Sequence, residues 1–123
     1  MTVYLARTYV IAPNRLREHN EWGKKLVALM KKKPSLFLGV ESLQVLSHND
    51  EGSAGKFTAL WGFESLSSIE GWETGFREIP EEKALRSEFM KLIVPGSYSV
   101  CILEPIKKMT RKTKSALRVG TPK

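Results

Sequence analysis

The sequence predicts an α+β domain in the order β-α-β-β-α(α)-β, the split βαβ arrangement of ferredoxin-like folds, with an antiparallel four-stranded sheet. Three observations lead there. Strand-type runs rich in apolar residues extend up to Ile11 and again from Leu36, and apolar residues recur at helical spacing after Pro13 and after Glu64. Prolines and glycines punctuate the changes at Pro13, Pro34, Pro80, Pro95-Gly96 and Pro105. A chain of 123 residues, 41% of them apolar, is also the size and composition of one packed domain.

The first strand is Val3 to Ile11, rich in β-branched and aromatic residues and closed by Ala12-Pro13-Asn14. From Asn14 the first helix shows Leu16, Trp22, Leu26, Leu29 and Met30 on one side and charged residues on the other. Lys31-Lys32-Lys33 and then Pro34 end it, with cations at the negative end of the helix dipole. Leu36 to Ser47 reads as the second strand, the polar run from His48 to Gly55 as a loop, and Lys56 to Glu64 as the third strand, giving a long-loop hairpin. Ser67 is placed to cap the next helix with Glu70 closing a capping box, and Ile69, Trp72 and Phe76 form its stripe, which breaks near Gly75. Pro80-Glu81-Glu82 opens a further helix with Ala84, Leu85, Phe89 and Leu92 as its apolar side. Ser97 to Glu104 is the fourth strand.

In the third strand Phe57, Ala59, Trp61 and Phe63 share the greasier face. The first and fourth strands are apolar in both phases, and such strands are normally buried on both sides. Helices can cover one face only, so the sheet is expected to pack on a second copy as a symmetric homodimer.

The net charge of +7 is unevenly placed. Over residues 1–106 thirteen basic and thirteen acidic side chains cancel, whereas 107–123 hold seven cations and no acid. The expected organisation is a neutral domain over 1–106 and a basic C-terminal tail over 107–123, flexible or packed on the partner subunit's acidic face near Glu78, Glu81 and Glu82. The tail suits contact with a polyanion, nucleic acid or anionic membrane, although it lacks aromatic residues for stacking on bases. The first residues lack the basic start and apolar core of a secretion signal, and no apolar run is long enough for a membrane span. Cys101, the only cysteine, rules out an internal disulfide and a thiolate zinc cluster, so a cytoplasmic location is expected.

Known chemical motifs are absent. Gly52-Ser53-Ala54-Gly55-Lys56 lacks phosphate-loop spacing and the following helix, and there is no G-x-S-x-G elbow. His19 and His48 have no ligand-type partners at metal-binding spacing, so no metal site is expected. Glu41 and Gln44 interrupt the second strand, where Glu41 is either a buried general base or a solvent-facing residue. Arg7 in an apolar strand calls for a partner: a salt bridge to Glu41 or Glu104, a dimer contact, or a ligand.

The order of elements, with FTALWGFESLSSIEGW at 57–72, resembles the dimeric α+β-barrel superfamily over residues 2–105. That group includes antibiotic-biosynthesis-type monooxygenases, haem-degrading monooxygenases, and EthD-like, NIPSNAP-like and stress-responsive barrel proteins. The haem-degrading branch needs an Asn on the first strand and a His about ten residues after a helical Trp. Trp72 stands where that Trp belongs, but residues 2–12 contain no Asn and Glu82 stands in place of the His, so haem degradation is set aside. The resemblance otherwise implies a small-molecule-binding protein. If it is an enzyme, it is a cofactor-independent monooxygenase acting on an aromatic or lipophilic compound, in a pocket between sheet and helices. Arg7, Tyr9 and Trp61 would hold the ligand from the sheet and Trp72 and Arg86 from the helices; Trp72 also suits a plain core position. No residue stands out as catalytic. The alternative is a non-enzymatic dimeric binding or regulatory protein using its tail on a polyanion.

Overall fold

The structure, a computed structural model, describes residues 2–50, 52–76, 79–106 and 109. The expected tail at 107–123 thus lies outside the described residues apart from Met109, as do Glu78 and the side chain of Phe76.

Four strands and three α-helices follow one another as β1 (Val3–Val10), α1 (Leu16–Lys32), β2 (Val40–Ser47), β3 (Lys56–Phe63), α2 (Leu66–Phe76), α3 (Pro80–Met90) and β4 (Ser99–Leu103). Short 3-10 turns, Pro13–Arg15 and Pro34–Phe37, precede α1 and β2. The sheet is antiparallel throughout, in the order β2-β3-β1-β4. This is the α+β, ferredoxin-like arrangement expected.

Register decides which residues face the helices. Val3, Leu5, Arg7 and Tyr9 of β1 stand opposite Phe63, Trp61, Ala59 and Phe57 of β3, so the greasier face of β3 is the helix-covered one. Leu5, Phe63, Trp61, Ile69, Trp72 and Phe37 form the main core, with Leu26 and Leu29 of α1. A second cluster joins Tyr9 and Ile11 to Phe89, Leu92 and Ile93 at the end of α3. Fully burying one such side chain stabilises the fold by about 1.5–3 kcal/mol. Trp22 Nε1 donates to the Leu85 carbonyl at 2.8 Å, tying α1 to α3.

Two expectations shift. The second strand begins at Val40, not Leu36, because Pro34 starts a 3-10 turn and Gly39, at φ +88°, redirects the chain before pairing begins. A Cβ at Gly39 would lie 3.0 Å from Ser68 Cβ. The cap of α2 is Ser65, not Ser67: Ser68 N–H donates to Ser65 Oγ at 3.3 Å and Ile69 N–H to the Ser65 carbonyl at 3.4 Å.

The opposite sheet face carries Tyr4, Ala6, Thr8 and Val10 of β1, Thr58 and Leu60 of β3, Leu46 of β2 and Cys101 and Leu103 of β4. Leu46, Cys101 and Leu103 are exposed there. On the helix side Val100 and Ile102 are exposed as well, so within one chain β4 is buried on neither face. Among the described residues no helix is long and apolar enough to cross a membrane.

Candidate functional site

A cleft of about 560 Å³ opens between α1 and the helix-facing side of the sheet. Its floor is Leu43 and Val45 of β2, Ala59 and Trp61 of β3, and Arg7 and Tyr9 of β1; α1 supplies His19, Trp22, Leu26, Val27 and Lys31, and Phe89 and Tyr98 close one end. Opposed strands put small Ala59 beside Arg7 and Val45, which leaves room above the middle of the sheet.

A second cleft of about 310 Å³ lies under α2 and α3 and shares Arg7, Trp22, Trp61 and Tyr98 with the first. It adds Trp72, Glu73, Glu82 and Arg86. Of the five residues singled out from sequence, Arg7 and Trp61 therefore line both clefts, Tyr9 only the larger, and Trp72 and Arg86 only the smaller. Trp72 is also a core residue, with its Nε1 donating to the Leu36 carbonyl at 3.2 Å.

Arg7 pairs with neither Glu41 nor Glu104. Its Nη2 meets Glu73 Oε1 of α2 at 3.4 Å, and its guanidinium lies 5.6 Å from the centre of the Trp72 ring. The packing of α2 over β1 creates this pair from residues far apart in the chain. Arg86 Nη2 lies 3.6 Å from Glu82 Oε2, and Glu82 is itself buried, which takes it out of the surface considered for the tail. Glu81 is engaged by Lys33. Glu41 is exposed at the bulge between Val40 and Ser42 and accepts from Thr2 Oγ1 at 2.8 Å, so it is not a buried base.

The polar pair deepest in the larger cleft is Tyr9 and His19, whose Oη and Nε2 lie 2.8 Å apart. Both are buried, the imidazole stacking on Phe57 at 4.6 Å and the phenol meeting Phe89 edge-on at 4.7 Å. Burial, helped by the neighbouring Tyr98, pushes the Tyr9 hydroxyl up to about 12. Burial also lowers His19 below its ordinary value of 6.5, against an opposing contact from the Asn20 side chain. At neutral pH both are uncharged, so the pair is suited to orienting and hydrogen bonding. In the sequence His19 stands out only as a candidate metal ligand. The missed signal is its place on the α1 stripe, three positions before Trp22 and seven before Leu26.

No protein-family model matches the chain, and no curated protein matches it either. Solved structures do. An uncharacterised NIPSNAP-like domain protein from Burkholderia xenovorans aligns with a TM-score of 0.65 at 21% identity, over 89% of this chain and 90% of that one. A NIPSNAP family protein from Agrobacterium tumefaciens aligns with a TM-score of 0.66 at 20% identity, over 86% and 94%. A proposed antibiotic biosynthesis monooxygenase from Bordetella bronchiseptica aligns with a TM-score of 0.64 at 10% identity, over 85% and 97%. The chain has the ferredoxin-like fold shared by these proteins. At such identities the likeness establishes the fold, and activity has to be argued from the clefts.

Proposed function

We propose that the protein is a small-molecule-binding, homodimeric α+β-barrel protein that takes an aromatic or lipophilic compound into the 560 Å³ cleft. The observation that carries this is the wall itself: a space of ordinary ligand size, bounded by Leu26, Val27, Leu43, Val45, Trp61 and Phe89, with Arg7 and the Tyr9–His19 pair as its inner polar groups. Arg7, Tyr9 and Trp61 would orient the compound from the sheet, with Trp72 and Arg86 reached through the adjoining cleft. If the protein is an enzyme, the reaction that suits such a site is a cofactor-independent oxygenation, in which two C–H bonds of the substrate give way to a C=O bond: one oxygen atom of dioxygen enters the product and the other leaves with the two hydrogens as water. The proposed setting is the cytoplasm, where the exposed Cys101 thiol would stay reduced, and cell fractionation checks it.

The experiment is a fluorescence titration with the neutral dye N-phenyl-1-naphthylamine. Saturable binding at one site per chain is expected, lost in Ala59→Phe, which fills the cleft floor, while the thermal melt stays cooperative. Binding that survives Ala59→Phe unchanged removes the cleft from consideration. A second reading, a non-enzymatic dimer that applies its tail to a polyanion, is favoured by the seven cations and absent acids of 107–123.

A further inference from the structure

We infer that the compound held in the larger cleft is a lipophilic acid, ionised at neutral pH, whose single negative charge rests on the Arg7 guanidinium. This deepens the cleft-binding proposal and rests on it. Arg7 stands on the helix-facing side of the sheet between Leu5 and Tyr9, where a charge loses much of its hydration and must be compensated. Inside the chain the charge is met by the Trp72 ring, 5.6 Å from the guanidinium, and by one carboxylate. One oxygen of Glu73 approaches a single guanidinium nitrogen at 3.4 Å, and among the described residues Nε makes no hydrogen bond. A guanidinium offers five donors in a planar fork, and a carboxylate or sulfonate arriving from the cleft can use those that Glu73 does not. Glu73 stays in the smaller cleft and Arg7 borders both, so the ligand's charge and Glu73 can sit on either side of it.

The rest of the larger cleft agrees in sign. Its charged lining residues are Arg7, Lys24 and Lys31, with no carboxylate among the described residues that line it. Lys24 is shared with Glu21 of the same helix turn at 3.4 Å, on the exposed side. Tyr9 and His19 add no negative charge, since the phenol is held protonated and the imidazole neutral at pH 7. A neutral compound would leave this field unused, whereas an anion with an apolar body fits both the charge and the walls.

The test compares two dyes with the same anilinonaphthalene body, 1-anilinonaphthalene-8-sulfonate and its uncharged parent N-phenyl-1-naphthylamine, titrated into the full chain. The sulfonate should bind ~10-fold or more tighter, as a charge-assisted hydrogen bond in a dry site allows. Arg7→Met should abolish that preference, weakening the sulfonate ~10-fold more than it weakens the neutral dye. Glu73→Gln, on a half-exposed helix position, covers the case in which Arg7→Met fails to fold. It should tighten the sulfonate several-fold and leave the neutral dye unchanged. Equal affinity of the two dyes for the wild-type chain, or a preference that both substitutions leave intact, overturns the inference while the cleft still stands. If neither dye binds, or both survive Ala59→Phe, the cleft-binding proposal fails with it.

Discussion

Tyr9 and His19 show what burial does to two side chains that would each behave differently in water. The phenol keeps its proton far into the alkaline range and the imidazole resists gaining one, because neither charged form is solvated beneath α1. For His19 the sign of the stability effect follows. The unfolded chain takes up a proton near 6.5 and the folded chain only at lower pH, so unfolding binds protons and stability declines as pH falls through that window. The melting temperature should therefore drop between about pH 7 and 5, and His19→Gln should flatten the drop. Equal slopes for the two proteins would falsify the assignment. Arg7 carries the opposite lesson about legibility. Its oddity was plain in an apolar strand, but its partner was not, because Glu73 reaches it only once α2 has docked across β1.

Elements were legible where one periodicity ran unbroken. β1 is one run of mostly β-branched and aromatic residues, β3 has its larger apolar side chains on one face, and α1 repeats its apolar stripe over several turns, so their bounds fall within a residue or two of expectation. The 36–39 segment, Leu-Phe-Leu-Gly, is apolar in every position before its glycine, and such a run fits a buried turn as well as a strand. What decides it is Phe37 sinking into the core while Leu38 stays exposed. Spacing to Glu70 puts the cap of α2 at Ser67, whereas hydroxyl geometry puts it at Ser65. Ser65 has its hydroxyl on the Ser68 N–H. Ser65→Ala should accordingly destabilise the protein by about 1 kcal/mol in a denaturant titration, and Ser67→Ala by no more than a few tenths, the difference between losing a cap and changing an exposed first-turn residue. A larger loss from Ser67→Ala than from Ser65→Ala would return the cap to Ser67.

On the scale of the whole molecule, charge and apolar surface are segregated. The sheet face opposite the helices and both sides of β4 present Leu46, Leu103, Val100 and Ile102 to solvent, an area that a second copy would bury. In solution the chain of 13.9 kDa should have the mass of a dimer, and Leu60→Lys, in the middle of that face, should make it a monomer with a cooperative melt. The cations beyond Ile106 should be separable from this. Removing 107–123 is expected to keep the dimer mass and dye binding while abolishing retention on heparin at low salt; a truncated chain that still binds heparin would refute the polyanion role. The three tryptophans of the sequence, Trp22, Trp61 and Trp72, all line one cleft or both, with the rings of Trp61 and Trp72 5.0 Å apart. All of the indole emission thus originates at the clefts, and the unlabelled protein is its own optical gauge: an occupant of the larger cleft, coloured or not, changes the surroundings of Trp22 and Trp61 directly.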